Sequence, residues 1–167
     1  RKGWNLEEFA FFMDMGTGKS KVLIDNFSVL YDRGHITGVL IIAPKGVYRN
    51  WSRNEIPTHM PEHVLTDICV WQPNHTQKFL QTWKSLFVAN DNLKIFLMNI
   101  EAFSTRKGVE VAEKFLLAHT VLMAIDESTT IKSKKAKRTK SIVKLGKSAK
   151  FRRIMTGSPI TKSPMDL

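Results

Sequence analysis

The chain has 167 residues, 43% of them hydrophobic and 25% charged, an ordinary composition for one soluble globular domain with its own core. No apolar run approaches the roughly 20 residues that cross a bilayer, so the sequence predicts no membrane span and no membrane partner. The formal net charge is +11 and Cys69 is the single cysteine, which excludes an internal disulfide and a thiolate zinc cluster and favours an intracellular, reducing location.

Apolar runs of strand length alternate along the chain with amphipathic stretches of helix length, which is the pattern of a parallel sheet with crossover helices. Strands are predicted at Phe9–Met13, Val39–Ala43, Val64–Trp71, Leu93–Met98, Val121–Ile125 and Arg153–Met155. Because these runs are almost continuously apolar, we expect helices on both faces of the sheet. Helices are predicted at Lys19–Tyr31, Val47–Ile56, Thr76–Val88, Val109–Ala118 and Lys135–Leu145. Asn74 and Gln77 predict a capping box for the third helix.

The first chemical motif lies where the first strand leads into the first helix. Gly16 and Gly18 allow backbone N–H groups to converge on phosphate oxygens, and the helix N-terminus adds its positive dipole end. Lys19 would pair with the β and γ phosphates, and Ser20 would ligate Mg²⁺. The residues predicted to bind the nucleotide are Met15, Gly16, Thr17, Gly18, Lys19 and Ser20. Met13 stands at the first glycine of the strict P-loop pattern, so a chance loop stays open as an alternative.

The second motif is the carboxylate pair Asp126–Glu127 at the end of an apolar strand. An aspartate at a strand's carboxyl end can hold Mg²⁺, and a neighbouring glutamate can orient and deprotonate the attacking water. We therefore predict Lys19, Asp126 and Glu127 as the catalytic residues, with Ser20 and Asp126 at the metal. Taken alone, such a pair is also compatible with an ordinary turn or helix start.

The third motif is a strand that runs into the polar turn Thr156-Gly157-Ser158. By itself this sequence predicts only a turn. It follows Asp126 at a distance that accommodates one crossover helix and the next strand, which would place it beside the nucleotide.

Together the three motifs resemble motifs I, II and III of superfamily-two helicases and translocases, above all the Swi/Snf, or chromatin-remodeller-like, branch. That branch reads D-E-M-G-L-G-K-T, P-x-x-x-x-x-N-W, D-E-A-H-R-I-K-N and T-G-T-P-I-Q-N, and this chain has related letters at 14–20, Pro44–Trp51, Asp126–Lys132 and Thr156–Lys162. The resemblance implies an α/β, RecA-like P-loop NTPase lobe that uses ATP and Mg²⁺. Motifs IV to VI, which carry the arginine fingers, are missing from the sequence. We therefore expect residues 1–167 to be a fragment, the N-terminal ATP-binding lobe without its second RecA-like lobe.

One departure from the family concerns communication between the motifs. Ser128-Thr129 replaces the Ala-His pair of the second motif, whose histidine in the family links the nucleotide site to the third motif. The resemblance then implies that coupling uses Thr129 or another residue in place of the histidine, and the predicted coupling residues are Thr129, Thr156, Gly157 and Ser158.

Candidate nucleic-acid contacts lie at strand ends and in a basic block. Lys45 corresponds to a stretch that lies near the nucleic-acid backbone in the family, and Asn99 has a similar strand-end position. Residues 132–153 hold eleven Lys and Arg and no acidic residue, which attracts polyanions, although a solvated helix face is the alternative. Ala136, Val143 and Leu145 would form only a thin apolar seam there. The predicted nucleic-acid contacts are Lys45, Asn99, Lys134, Lys135, Lys137 and Arg138. Trp51 follows Val47 at helical spacing and is predicted to be a packing anchor rather than a base-stacking platform.

The sequence therefore predicts the ATP-hydrolysing lobe of a nucleic-acid translocase or helicase, with DNA as the expected polymer and RNA as the alternative. Its other expected partner is the second lobe of the parent protein, without which hydrolysis should be absent or very slow. Two other interpretations remain open: a nucleic-acid-binding module whose ATPase has decayed, and a different P-loop enzyme such as a small-molecule kinase.

Overall fold

All six predicted strands form, and they run parallel in one sheet in the order β1-β6-β5-β2-β4-β3. The computed structural model describes residues 3–13, 18–126 and 136–156. The strands are β1 (Glu8–Phe12), β2 (Gly38–Ala43), β3 (Thr66–Val70), β4 (Leu93–Asn99), β5 (Val121–Asp126) and β6 (Phe151–Thr156). The predicted fold class is confirmed.

Helical segments connect the strands, as parallel pairing requires. They are α1 (Lys19–Asp32), α2 (Tyr48–Asn50), a π-helical segment (Trp51–Glu55), α3 (Ile56–His59), α4 (Gln77–Ser85), a 3₁₀ helix (Ile100–Ser104), α5 (Arg106–Ala118) and α6 (Lys137–Gly146). No helix among the described residues is both long and apolar enough to span a membrane.

The centre of the sheet is covered on both sides, as predicted from its apolar runs. Every residue of β2, β4 and β5 is buried, and this requires cover on each face because successive side chains point to opposite sides. The edge strands β1 and β3 are only partly buried. The carboxyl ends of the central strands are thus positioned by a fully buried part of the sheet.

The predicted capping box of the third helix is wrong. The N-cap of α4 is Thr76, whose hydroxyl accepts a hydrogen bond from the Phe79 backbone N–H at 3.2 Å. The helix therefore begins after Thr76, and Gln77 is its first residue rather than the reciprocal partner of Asn74. A Thr side chain in extended backbone satisfies one of the free N–H groups of the first turn.

The helix after β2 widens into a π-helical turn where a regular α-helix was predicted. The Ile56 backbone N–H donates to the Trp51 carbonyl, five residues back. Pro57 follows at once; a proline has no N–H, and its ring would clash with the carbonyl of Arg53 in a regular helix. The wider turn accommodates that proline.

A buried arginine fixes the segment that precedes β1. The side chain of Arg153 is 0% exposed, and its Nε donates to Asn26 Oδ1 at 2.8 Å. Its two terminal nitrogens donate to the backbone carbonyls of Trp4, Glu7 and Arg152. Burial lowers the pKa of Arg153 to about 10. β6, α1 and the start of the chain are thereby joined at one point.

Candidate nucleotide site at the carboxyl edge of the sheet

The carboxyl ends of β1, β6 and β5 lie next to one another at the same edge of the sheet. Phe12 pairs with Thr156, and Met155 pairs with Asp126. Adjacent strands are about 4.8 Å apart, so β1 and β5 are separated at this edge by roughly 10 Å, with β6 between them. β1 ends at this edge shortly before Gly18 and Lys19 in the sequence, and Asp126 ends β5 there. This is the edge at which the sequence predicts a shared nucleotide site.

The start of α1 has the local features of a phosphate-binding turn. Gly18 has a φ of 82°, in the left-handed region that favours glycine, and apart from its chain neighbours no atom of the described residues lies within 4 Å of the position where a Cβ would stand. Lys19 and Ser20 form the first turn of the helix that follows, and that turn contains no acidic residue. A helix N-terminus whose N-cap glycine has no side chain suits an anion, because its backbone N–H groups and dipole both favour negative charge.

The carboxylate of Asp126 lies nearly buried at the end of β5, with 8% of the residue exposed. The Trp51 indole N–H donates to its Oδ2 at 3.1 Å. Trp51 is 1% exposed, so its predicted role as a packing anchor is confirmed, and the hydrogen bond is an addition to that role. An oxygen ligand at a strand end, together with the hydroxyl of Ser20 in the α1 turn, is the donor chemistry that Mg²⁺ accepts beside a polyphosphate. The described residues therefore fit a magnesium–nucleotide complex.

The ends of β2 and β4 continue the same edge beyond β5. Ile42 pairs with Ile125, and Ala43 pairs with Asn99. Lys45 follows β2 and is exposed. Asn99 is 5% exposed, and its Oδ1 accepts from the Ala102 N–H at 2.8 Å, which caps the 3₁₀ helix. The Asn99 carboxamide oxygen therefore serves as a helix cap, and the contact of Asn99 with phosphate stays a prediction.

The basic block is described from Ala136 onwards, and its apolar seam differs from the predicted one. Val143 is 43% exposed, and Ile142 is the buried residue. The residues of α6 that are buried are Thr139, Ile142, Leu145 and Gly146. Lys137 lies exposed and Arg138 half-buried, so both remain candidate nucleic-acid contacts.

Several predicted site residues lie outside the described residues. They are Met15, Gly16, Thr17, Glu127, Thr129, Lys134, Lys135, Gly157 and Ser158. Thr156 is described as the last residue of β6, without its side chain. The predicted roles of all these residues in binding, catalysis and coupling stay predictions.

The hydrogen bond between Trp51 and Asp126 is the feature of the site that sequence reasoning missed. The two residues are 75 positions apart, and helical spacing explained the tryptophan by packing alone. The available signal was topological, because Trp51 follows β2 and Asp126 ends β5, and both strands end at the same edge. Indole is a hydrogen-bond donor that needs an acceptor when buried.

Comparison with known proteins agrees with this geometry. A family model described as the SNF2-related domain matches residues 10–167. The fold is similar to that of the Sulfolobus solfataricus SWI2/SNF2 ATPase core in complex with double-stranded DNA, with a TM-score of 0.63 and 21% identity over 95% of this chain and 29% of that one. It is also similar to a nuclease-deletion mutant of the Type ISP restriction-modification enzyme LlaGI in complex with a DNA substrate mimic, with a TM-score of 0.55 and 15% identity over 93% of this chain and 16% of that one. The chain thus has a RecA-like fold and spans less than a third of either protein. Among curated proteins, none matches the chain.

Proposed function

The chain belongs to the SNF2-related domain family, and on that premise we propose that it is the ATP-binding lobe of an ATP-dependent DNA translocase or helicase. The observation that carries the proposal is the common sheet edge. β1, which precedes the left-handed Gly18 and α1 in the chain, and β5, which ends at the buried Asp126, both end at this edge with β6 between them. Such an edge, at the carboxyl ends of parallel strands, is where α/β proteins bind nucleotides.

Each residue of the proposed site has a distinct task. The backbone at Gly18 and the ammonium of Lys19 bind the phosphates, and Ser20 and Asp126 hold the metal ion. Glu127 orients the attacking water and accepts its proton. Bound Mg²⁺ neutralises the charge on the phosphate oxygens.

The nucleic acid is proposed to contact the other half of the same edge and the basic block. Lys45 after β2 and the cations of residues 134–138 provide positive charge without acidic neighbours in sequence. Thr129, Thr156, Gly157 and Ser158 would couple the nucleotide site to movement of the second lobe. That lobe would supply the arginines that stabilise the transition state, a contribution of about a thousandfold or more in comparable enzymes. A DNA partner also implies a location inside the cell.

The direct test measures ATP hydrolysis by the intact parent protein. The assay is run without nucleic acid and with single-stranded DNA, duplex DNA or RNA. We expect DNA to stimulate hydrolysis. Nucleotide binding with no hydrolysis under any of these conditions would instead support a decayed ATPase, and stimulation by a small-molecule acceptor would support a kinase.

Variants in the parent protein separate binding from chemistry. Lys19→Ala should weaken ATP binding and hydrolysis together, whereas Glu127→Gln should bind ATP normally and fail to hydrolyse it. The matched control is Lys21→Ala, which removes an exposed ammonium from the same helix. An effect of Lys21→Ala as large as that of Lys19→Ala would contradict a specific phosphate contact.

A further inference from the structure

Trp51 connects the two halves of the carboxyl edge. It follows β2, on the side of the proposed nucleic-acid contacts, whereas Asp126 ends β5, on the side of the proposed nucleotide site. Its Nε1–H donates to Asp126 Oδ2 at 3.1 Å, and both residues are less than one-tenth exposed. In such surroundings the geometry of a hydrogen bond is imposed by the protein rather than averaged by solvent.

The chemistry of the pair makes this hydrogen bond an orienting one. Indole has one N–H and no acceptor, and it is held in a rigid ring, so it can meet the carboxylate in only one way. A carboxylate has several acceptor positions on its two oxygens. A donor held on Oδ2 of Asp126 restricts the rotation of the carboxylate, and with it the direction of the acceptor positions that a cation would use.

Trp51 is itself held by its surroundings. Its carbonyl accepts the hydrogen bond that closes the π-helical turn, from the Ile56 N–H. One turn earlier, the Tyr48 hydroxyl donates to the carbonyl of the buried Trp71 at 3.1 Å. π-Helical turns are rare and are found frequently at functional sites. The Trp51 backbone is thus held by a hydrogen bond, and its indole is buried among packed side chains, as a residue that orients another must be.

We propose that Trp51 is a positioning residue for the magnesium site, acting through the hydrogen bond from its indole N–H to Asp126. This inference rests on the proposed function, in which Asp126 holds the metal. Trp51 does not touch the nucleotide or the reacting atoms. Its loss therefore weakens retention of the metal and leaves the phosphate contacts of Lys19 intact.

The test measures metal binding rather than turnover, in the intact parent protein carrying Trp51→Phe. Phenylalanine keeps most of the apolar packing and removes the donor. The affinity for a fluorescent ATP analogue is measured in EDTA and across a magnesium titration. We expect the affinity in EDTA to match that of the native protein and the magnesium midpoint to rise about tenfold or more, the typical effect of removing a partner that orients a metal ligand.

Two controls make the outcome decisive. Trp83→Phe makes the same change at a half-buried tryptophan of α4 that packs against the core, and we expect it to leave the magnesium midpoint unchanged. Asp126→Asn tests the proposed function itself, and its midpoint should rise at least as far as that of Trp51→Phe. If Trp51→Phe does not fold, benzothienylalanine at position 51 removes the N–H while keeping the shape of indole.

The results distinguish the two proposals. A raised midpoint for Asp126→Asn with a native midpoint for Trp51→Phe overturns the role of Trp51 and leaves the proposed function standing. Equal shifts for Trp51→Phe and Trp83→Phe also overturn it, because packing alone would then explain the effect. A native midpoint for Asp126→Asn overturns both proposals.

Discussion

The buried guanidinium of Arg153 makes Asn26 a position where one substitution should destabilise the whole lobe. Asn26 is 7% exposed and provides the Oδ1 that accepts from Arg153 Nε at 2.8 Å. Its own Nδ2 donates to the Trp4 carbonyl at 3.0 Å. Asn26→Leu keeps a side chain of similar volume, so the main loss is polar.

The size of the effect follows from the burial of the charge. Burial lowers the pKa of Arg153 to about 10, because taking the charged guanidinium away from water is unfavourable. Hydrogen bonds to the guanidinium offset this cost, and one to a charged group contributes about 1.5–3 kcal/mol. We expect Asn26→Leu to lower the free energy of unfolding by about 2 kcal/mol, and the melting temperature by about 4–8 °C for a chain of this size.

Equilibrium urea unfolding followed by tryptophan fluorescence measures this loss. Arg153→Met removes the buried charge as well, so the double variant should be less destabilised than the sum of the two single variants. The control Asp25→Leu makes a similar change at the adjacent, exposed position of α1 and should cost no more than about 0.5 kcal/mol. Strictly additive effects of Asn26→Leu and Arg153→Met would refute the reasoning, because the two side chains would then not depend on each other.

Three further predictions concern acid stability, thiol reactivity and salt dependence. Burial raises the pKa of Asp67, but hydrogen bonds from Lys94 and neighbouring amides outweigh burial, and the net pKa lies below the ordinary 3.8. The stabilisation that Asp67 contributes is therefore present above the unfolded pKa and is lost as pH falls through the folded pKa. Urea unfolding at decreasing pH should therefore show a smaller acid loss for Asp67→Asn than for the native chain, and parallel curves would contradict this. Burial raises the pKa of the Cys69 thiol to about 11, so a thiol reagent should label it only after unfolding; rapid labelling of the folded chain would contradict that. Neutralising the four basic residues of 134–138 in the parent protein should weaken DNA binding and lower the log-log salt slope by about 0.9 per lost phosphate contact, whereas an unchanged slope would make the block a solvated surface.

The sheet could be predicted from sequence because its strands are apolar runs that need cover on both faces. β6 shows the limit of that reasoning, since its prediction began at Arg153 and the strand begins at Phe151. Two adjacent arginines do not suggest a buried strand. Arg153 is nevertheless fully buried, because carbonyls of the chain start and Asn26 meet its donors, and such distant partners are invisible in a local pattern.

The predicted apolar seam of α6 and the predicted helix after β2 differ from the structure for a related reason. On α6 the buried face includes the polar Thr139, so a count of apolar residues selected the exposed Val143 instead of Ile142. After β2 a helical segment was correctly predicted, but the apolar pattern did not reveal the wider π-helical turn at Trp51–Glu55. Local patterns specify which elements form, whereas the contacts between elements decide which side chains they bury.

The proposed nucleotide site also combines residues that a local motif can suggest with one that only contacts between elements reveal. Gly18, Lys19 and Asp126 were predicted from phosphate and magnesium chemistry, and their roles stay predictions; the observed strand order brings the ends of β1 and β5 to the same edge. Strand ends at this edge are fixed by ladder hydrogen bonds and do not shift independently of one another. Trp51, by contrast, stands on a short helical turn outside the sheet. One route by which contact with nucleic acid at Lys45 would change the proposed metal site is a group that is not bound into the ladder. The hydrogen bond from Trp51 to Asp126 joins such a turn to the end of β5.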